Sequence, residues 1–363
     1  MPSVAITNRG CMLLKPKTIE IQDIGVPQIG PDEVLVQCIS TGICGSDVHN
    51  YTNGGIGTDL VKAPLCLGHE TAGLVAQVGS NVKDFVLGQK VAIEPGIPCR
   101  LCAHCKHGRT NLCYNLKHAS LPPTHGSLCQ YYATHQSHLV PIPEGISWEE
   151  AGSIQPLAVA VQLARRAHFT AGQTVAVFGC GPLGLLVMAV ARAFGVSKIL
   201  AFDISGKRVK FAKDYIADFT AVSPPLSDGQ DLTSWSISLK QEMLAAAGID
   251  PKGVDVVVEA SGAEPCMHAG IEILHTGGTY VQAGLGKPIT SFPTLKITSK
   301  ELTVVGTVRY TGDCFETAIG MMASGAVDLK PLITKTYPLT KSIEAFEAVR
   351  EGSEIKVVVM NQE

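Results

Sequence analysis

The chain reads as an α/β protein in two parts: a compact β-barrel domain of short strands, and a doubly wound parallel sheet with helices on both faces. Three observations carry that reading. From about Gly30 to Glu94, short β-rich runs alternate with glycine-punctuated turns, as in Val34-Leu35-Val36-Gln37-Cys38 and Gly73-Leu74-Val75-Ala76-Gln77-Val78-Gly79, the spacing of strand–turn–strand units. From about Pro156 to Gly306, continuous apolar runs alternate with helical periodicity, which calls for a parallel sheet buried on both faces. Finally, 363 residues exceed what one core normally organises. The expected boundaries are 1–155 for the first domain, 156–306 for the second and 307–363 for a tail. A tail that short is expected to return to the first domain, having too little chain for a core of its own.

Inside the first domain, a lobe at 95–115 carries Cys99, Cys102, Cys105 and Cys113. Three thiols at every third position and a fourth eight residues later can close around one tetrahedral ion, the all-sulfur pattern of structural zinc. Disulfides are the competing use of these cysteines. Thiols this close together cannot all pair with good geometry, and nothing in the sequence reads as a secretory signal.

The second domain opens with the run Thr174-Val175-Ala176-Val177-Phe178, followed by helical periodicity through Phe194. Lys198-Ile199-Leu200-Ala201-Phe202, Val254-Asp255-Val256-Val257-Val258 and Thr279-Tyr280-Val281-Gln282-Ala283 repeat the strand pattern. Between the first strand and its helix stand Gly179, Gly181, Pro182, Leu183 and Gly184. Glycines at that turn let backbone approach a pyrophosphate, which the helix N-terminus then stabilises through its unpaired amides. Asp203 ends the next strand, where an acid binds the ribose hydroxyls. Its charge repels a 2′-phosphate, and Ile204 and Ser205 supply no arginine to receive one, so NAD is expected rather than NADP. Lys207 and Arg208 stand close by, and Arg208 is counted with the cofactor-binding residues. The bland alternative is that these glycines serve packing alone.

The tail offers a helix at about Asp313 to Ser324 and two β-like runs, the last being Ile355-Lys356-Val357-Val358-Val359. Pro224 to Ser238 is polar and reads as a loop. Cys11, Cys38, Cys129, Cys180, Cys266 and Cys314 lack ligand spacing and are expected to be buried inert thiols. A net charge of −3 gives no footprint for nucleic acid or for an acidic membrane surface. Met1-Pro2-Ser3-Val4-Ala5-Ile6-Thr7 lacks the features of a signal peptide, and Asn361-Gln362-Glu363 matches no lipidation or retention tag. The apolar stretch Leu185 to Phe194, interrupted by Arg192, is too short to span a bilayer. A cytoplasmic location is expected.

Two further clusters stand in the first domain, Gly42-Ile43-Cys44-Gly45-Ser46-Asp47-Val48-His49 and Leu67-Gly68-His69-Glu70. Alone, Cys44 and His69 would read as a buried thiol and a core histidine. Beside a zinc lobe and a dinucleotide fold, they read as the sulfur and nitrogen ligands of an open catalytic zinc. Together with Ala92-Ile93-Glu94-Pro95-Gly96-Ile97-Pro98 and Arg309-Tyr310, these runs make the chain resemble the zinc-containing medium-chain alcohol dehydrogenases. The likeness is to the polyol branch, which acts on sorbitol, xylitol and arabinitol.

That resemblance implies a GroES-like β-barrel catalytic domain, a Rossmann cofactor domain and two zinc ions per chain, one catalytic and one structural. It implies that Cys44, His69 and Glu70 surround the catalytic ion. Ser46 would accept the alcohol proton and pass it through the cofactor ribose to His49, while Tyr51, Arg309 and Tyr310 would line the substrate pocket. The sequence departs from the branch at two places. A Glu-Pro-Leu-Ser stretch is replaced by Gln155-Pro156-Leu157-Ala158, so the corner of the site next to the metal carries a neutral amide. His118 and Leu121 stand where an aromatic residue and a threonine face the substrate in the branch. His118, His104 and His107 otherwise read as surface histidines beside the lobe.

The reading is an NAD-linked zinc dehydrogenase that oxidises a secondary alcohol of a small-molecule polyol, with no nucleic-acid or membrane partner. The resemblance further implies a homotetramer, or a dimer. Two alternatives stand beside it. One is the same hydride chemistry on a less polar alcohol or a biosynthetic ketone, suggested by Leu121 and Gln155. The other is a redox-inactive nucleotide-binding relative, against which the joint presence of Cys44, Ser46, His49, His69 and Glu70 argues.

Overall fold

The computed structural model describes residues 7–56, 59–226 and 229–362. The N-terminal and C-terminal signals read above fall wholly or partly on 1–6 and 363, and part of the polar 224–238 stretch falls on 227–228; all of these lie outside the described residues. The chain forms two units. One joins Met1–Ala158 to Thr311–Glu363, and the other is Val159–Tyr310. The divisions fall a few residues later in the chain than the sequence boundaries. Among the described residues no helix is long and apolar enough to cross a membrane.

The first unit is built around strand Glu33–Gly42, which has three neighbours. One edge pairs along its length with Glu70–Val78. The other edge is divided: Glu33 to Gln37 pair with Tyr131–His135, and Ser40 to Gly42 pair with the C-terminal strand Lys356–Met360. The tail thus supplies two strands to the first unit's seven-stranded sheet, Lys356–Met360 and the outer strand Ile333–Pro338, with Leu139–Pro141 at the other edge. A three-stranded sheet of Thr18–Asp23, Arg9–Lys15 and Leu65–Cys66 adjoins it. Leu13, Leu65, Leu67, Phe346, Val357 and Val359 share one buried apolar cluster, so burial holds the tail in place as well as strand pairing.

The second unit is a six-stranded parallel sheet. Its order is Phe219–Val222, Lys198–Asp203, Thr174–Phe178, Val254–Glu259, Leu274–Gln282, Thr303–Gly306. In chain order this is 3-2-1-4-5-6, with the order reversing between Thr174–Phe178 and Val254–Glu259, the doubly wound arrangement. The four strands read from sequence are the central ones, each with an apolar run because both faces are covered. Phe178, Phe202, Trp235, Leu239 and Tyr280 fill one side of the sheet. The fourth of these strands begins earlier than expected, at Leu274, because His275-Thr276-Gly277-Gly278 masks its start. The edge strands Phe219–Val222 and Thr303–Gly306 have no clear sequence signal, being short, the first half-buried and the second mostly exposed.

The stretch read as a loop from Pro224 to Ser238 needs correction: helix Leu232–Ala247 begins within it. Asp231 caps that helix, accepting from the Ser234 backbone N–H at 2.8 Å and from its hydroxyl at 3.0 Å. Leu232, Trp235 and Leu239 then follow at helical spacing, with Trp235 and Leu239 in the core. The polar composition that suggested a loop is the chemistry of a cap. Replacing Asp231 by alanine should therefore lower the melting temperature by a few degrees without altering activity, as thermal unfolding followed by circular dichroism would show. An unchanged melting temperature would mean that the cap contributes nothing.

Candidate functional site

Helix Gly45–Asn53 starts directly after strand Glu33–Gly42, with Cys44 as its N-cap in extended conformation. The partner strand Glu70–Val78 begins at the residue after His69, so pairing of Gly42 with Glu70 brings the two sequence clusters together. The metal-ligating atoms of Cys44, His69 and Glu70 all lie within 4.8 Å of one another. Ligands of a tetrahedral zinc stand about 3.3–3.8 Å apart, given bonds of about 2.0–2.3 Å. Thiolate, imidazole and carboxylate at this separation therefore fit that ion.

A buried polar knot fixes His69. Its Nδ1 faces Asp47 Oδ2 at 3.2 Å, and both side chains are almost wholly enclosed. This contact turns Nδ1 towards the carboxylate and leaves Nε2 as the nitrogen available to ligate. Asp47 also accepts the Ser120 hydroxyl at 2.5 Å and, more weakly, the Gly68 N–H at 3.4 Å. Burial alone would raise the Asp47 carboxyl, but the His69 charge and these hydrogen bonds hold it below its ordinary value. Asn50 donates to the Ser120 carbonyl at 3.1 Å, so the helix is tied to the 118–121 segment twice.

Glu70 is equally enclosed and pairs with Lys356, which also donates to the Ile43 carbonyl at 3.1 Å. A carboxylate can serve a lysine through one oxygen and a metal through the other. Gly42 makes room for this pairing: a Cβ there would lie 2.3 Å from Glu70 Oε2 and 2.3 Å from the Gly152 carbonyl. Gln155, buried in the first turn of helix Ile154–Ala167, follows Gly152 by three residues. Ser46 is half-buried and His49 exposed, one turn apart on the same helix.

Three expectations change here. His118 is not at the surface: it is buried, and its ring meets His69 edge-on at 5.3 Å. Its Nδ1 donates to the Ala119 carbonyl at 2.8 Å. The anchoring of Ser120 on Asp47 carries His118 inward. Tyr51 packs against Phe346 within the apolar cluster, and its hydroxyl donates to Glu347 at 2.7 Å. Among the inert thiols, Cys266 is only partly buried, and Cys66, absent from that group, is fully buried. Sequence reasoning assigned no role to Asp47, Ser120 or Lys356. Two signals were available: an acid between two candidate ligands, and a lone lysine inside the apolar run Ile355 to Val359.

In the lobe, the four sulfurs of Cys99, Cys102, Cys105 and Cys113 also lie within 4.8 Å of one another. Backbone amides aim at them: Cys99 N–H donates to Cys113 Sγ at 3.2 Å, and Cys102 N–H to Cys99 Sγ at 3.4 Å. The N–H groups of Cys105 and Tyr114 draw the Cys102 thiol down to about 6. Desolvation and the adjoining thiols Cys102 and Cys113 push Cys105 up to about 12. Four thiolates this close repel one another unless a cation sits among them, which is the donor set of closed zinc.

In the second unit, Gly179 adopts φ +105° and Gly181 caps helix Pro182–Ala193, with Pro182 at its first position. Leu183 is half-buried. A Cβ on Gly184 would lie 1.9 Å from the Gly179 carbonyl, so only glycine lets helix and turn close together. Asp203 accepts the Cys180 N–H at 2.8 Å through one oxygen and the Ser205 N–H at 2.8 Å through the other. The acid therefore ties the end of its own strand to the glycine turn. The Arg208 charge reaches the Cys180 thiol in that turn. Arg309, at φ +51°, and buried Tyr310 close this unit.

Removing one lobe ligand, as in Cys102→Ser, should lower both metal content, by about one ion per chain, and melting temperature, because a structural zinc contributes directly to folding. Metal analysis and thermal unfolding would check this, and a variant with full metal content and normal melting would refute it.

Comparison with known proteins is consistent with these features. Residues 30–144 match the alcohol dehydrogenase GroES-like domain, and residues 182–324 match the zinc-binding dehydrogenase domain. A probable D-xylulose reductase A of Aspergillus terreus is 43% identical over 342 residues, covering 94% of each chain. The D-xylulose reductase A of Aspergillus oryzae is 42% identical over 342 residues, covering 94% of this chain and 93% of that one. Among solved structures, the L-idonate 5-dehydrogenase of Escherichia coli superimposes with a TM-score of 0.86 at 28% identity, covering 98% of both chains. The 2R,3R-butanediol dehydrogenase of Bacillus subtilis gives 0.85 at 28%, covering 98% of this chain and 100% of that one. With sequence likeness running over almost its whole length, the chain belongs to the zinc-dependent medium-chain alcohol dehydrogenase family, in its polyol dehydrogenase branch.

Proposed function

We propose that this chain is an NAD-linked, zinc-dependent polyol dehydrogenase that oxidises a secondary alcohol of a sorbitol-, xylitol- or arabinitol-type substrate to the ketose. The observation that carries the reading is the meeting of Cys44, His69 and Glu70 over the buried Asp47. The names of the relatives, D-xylulose reductases, support a five-carbon polyol and its ketose as the pair interconverted. When bound, zinc polarises the alcohol oxygen and the nicotinamide ring accepts hydride.

The protein's share is positioning and proton movement. Cys44, His69 and Glu70 hold the metal, with Asp47 fixing the His69 ring. Ser46 receives the alcohol proton, and His49, exposed one turn on, hands it to solvent. Gln155 stands at the fourth corner of this cluster, and His118 beside His69 offers the substrate an imidazole edge. Tyr51 sets the helix against the core. Gly179, Gly181, Pro182, Leu183 and Gly184 cradle the pyrophosphate, Asp203 receives the adenosine ribose, and Arg208 adds a nearby positive charge. The lobe cysteines hold the second zinc. A cytoplasmic homotetramer or dimer suits this reading, with the mostly exposed edge strand Thr303–Gly306 available for pairing between copies.

A less polar alcohol is the second reading, favoured by Leu121, an apolar side chain within the segment that the Asp47–Ser120 bond holds beside His69. Turnover of xylitol, sorbitol, arabinitol and 2,3-butanediol with NAD decides between them. Good rates on the polyols support the first reading; activity confined to butanediol would replace it.

Two variants test the cofactor and metal assignments. Asp203→Ala with Ile204→Arg should shift kcat/KM towards NADP by a factor of ten or more, on the order of one charge-assisted contact. Equal use of both nucleotides by the unmodified protein would defeat that account. Gln155→Glu adds a hard anionic donor beside the cluster. It should slow zinc loss to a chelator and move the alkaline arm of the kcat/KM profile to higher pH, since one added charge causes both. If neither changes, residue 155 lies beyond reach of the metal.

A further inference from the structure

Glu259 ends strand Val254–Glu259 with no solvent exposure, next to the point where the strand order reverses. Every partner it has is a neutral donor. Oε1 accepts the Ser261 N–H at 2.9 Å, the Ser261 hydroxyl, and the Gly262 N–H at 3.0 Å. Oε2 accepts the Gly262 N–H at 2.9 Å and the Gln282 amide at 2.8 Å. Among the described residues no lysine, arginine or histidine pairs with it. With donors on both oxygens, the hydrogen bonding matches a carboxylate rather than an acid, so a negative charge without a counter-charge sits inside this unit.

Its place in the unit gives that charge a direction. The Glu259 carbonyl accepts the N–H groups of Ala283 and Gly284 at 2.9 and 2.8 Å. A Cβ on Gly284 would lie 2.7 Å from Glu259 Oε2. Gly179 backs directly onto Ala260 and Ser261, leaving only 3.0 Å for a Cβ. The carboxylate thus stands where three loops meet at the carboxyl ends of adjacent strands. A dinucleotide crosses such a sheet at the reversal point, one mononucleotide on each half. Asp203 marks the adenosine half, two strands from Glu259, so the nicotinamide half falls on the Glu259 side. The oxidised nicotinamide is a cation and the reduced ring is neutral.

We propose that Glu259 supplies the counter-charge of the oxidised nicotinamide, tilting the crevice towards NAD+ and away from NADH. The inference rests on the NAD reading above. An uncompensated charge in a poorly hydrated crevice acts across several ångströms, where one unit charge changes affinity roughly tenfold.

The test measures the dissociation constants of NAD+ and NADH, by calorimetry and by nucleotide fluorescence, on the full-length protein and its variants. Glu259→Gln should weaken NAD+ about tenfold and NADH by less than about threefold. Gln282→Lys keeps the carboxylate but sets a cation against it, and should move the ratio the same way even if Glu259→Gln does not fold. Ser261→Ala removes one donor and keeps the charge, so its ratio should stay that of the unmodified protein. A change in which both nucleotides weaken equally, or no change in the ratio, would overturn the proposal and leave Glu259 as a loop anchor. Failure of both nucleotides to bind the unmodified protein would instead remove the NAD reading, and this inference with it.

Discussion

The first unit depends on a buried ion pair between its two stretches of sequence. Lys356, on the last strand, meets Glu70 beside His69 and also donates to Ile43, the residue before Cys44. Neither charge has water to fall back on, so removing one partner would strand the other at a cost of about 3–5 kcal/mol. The pair ties the tail to the candidate ligand cluster: strand Lys356–Met360 cannot leave the sheet without uncovering Glu70. That strand occupies the half of the Glu33–Gly42 edge nearest Cys44, while Tyr131–His135 takes the other half. The arrangement leaves no space for a side chain at Gly42, whose Cβ would strike both Glu70 and the Gly152 carbonyl. Backbone pairing, ion pair and missing side chain are one constraint seen from three sides.

The same economy organises the second unit. Asp203 and Glu259 both end parallel strands, and both spend their oxygens on backbone amides of the following turns. Carboxylates at the ends of strands gather loops without filling the crevice, because most of their partners are main-chain N–H groups, to which Glu259 adds the Ser261 hydroxyl and the Gln282 amide. The difference lies in exposure. Asp203 is half-buried and can also meet a ligand, whereas Glu259 is sealed.

How much of this was legible in the sequence follows from the range of the forces involved. The central strands of the parallel sheet were plain, because burial on both faces makes Val175 to Phe178 and Val256 to Val258 apolar without interruption. The glycine turn and the cysteine lobe were plain as well, since their partners lie within a few residues of one another. The joining of Cys44 to His69 needed two motifs read together, and strand pairing supplies it at Gly42 and Glu70. What stayed hidden was set by contacts far apart in the chain. Nothing near His118 announces that Ser120 will hang from Asp47, 73 residues away, and carry the histidine inside. Lys356 finds Glu70 across 286 residues. The helix at Leu232 was missed for a local reason: Asp231 and Ser234 use turn chemistry to start a helix, and that chemistry favours loops and caps alike.

The positions where this chain departs from the polyol branch differ in kind from the positions that hold the site together. Asp47, Ser120, Glu70 and Lys356 each bond or pair with other buried groups, so changing any of them disturbs the fold as well as the chemistry. Gln155 keeps the shape of a glutamate within the first turn of its helix, so helix packing is indifferent to the exchange while the local charge falls by one. Glu70 is paired with Lys356 and His69 faces Asp47. On the proposed reading, a divalent ion held at this cluster would keep more of its positive charge than beside a further carboxylate, and would be gripped less firmly. A substitution that preserves shape and alters charge is therefore absorbed only away from the Glu70–Lys356 pair and the Asp47 knot, where no buried partner is left stranded.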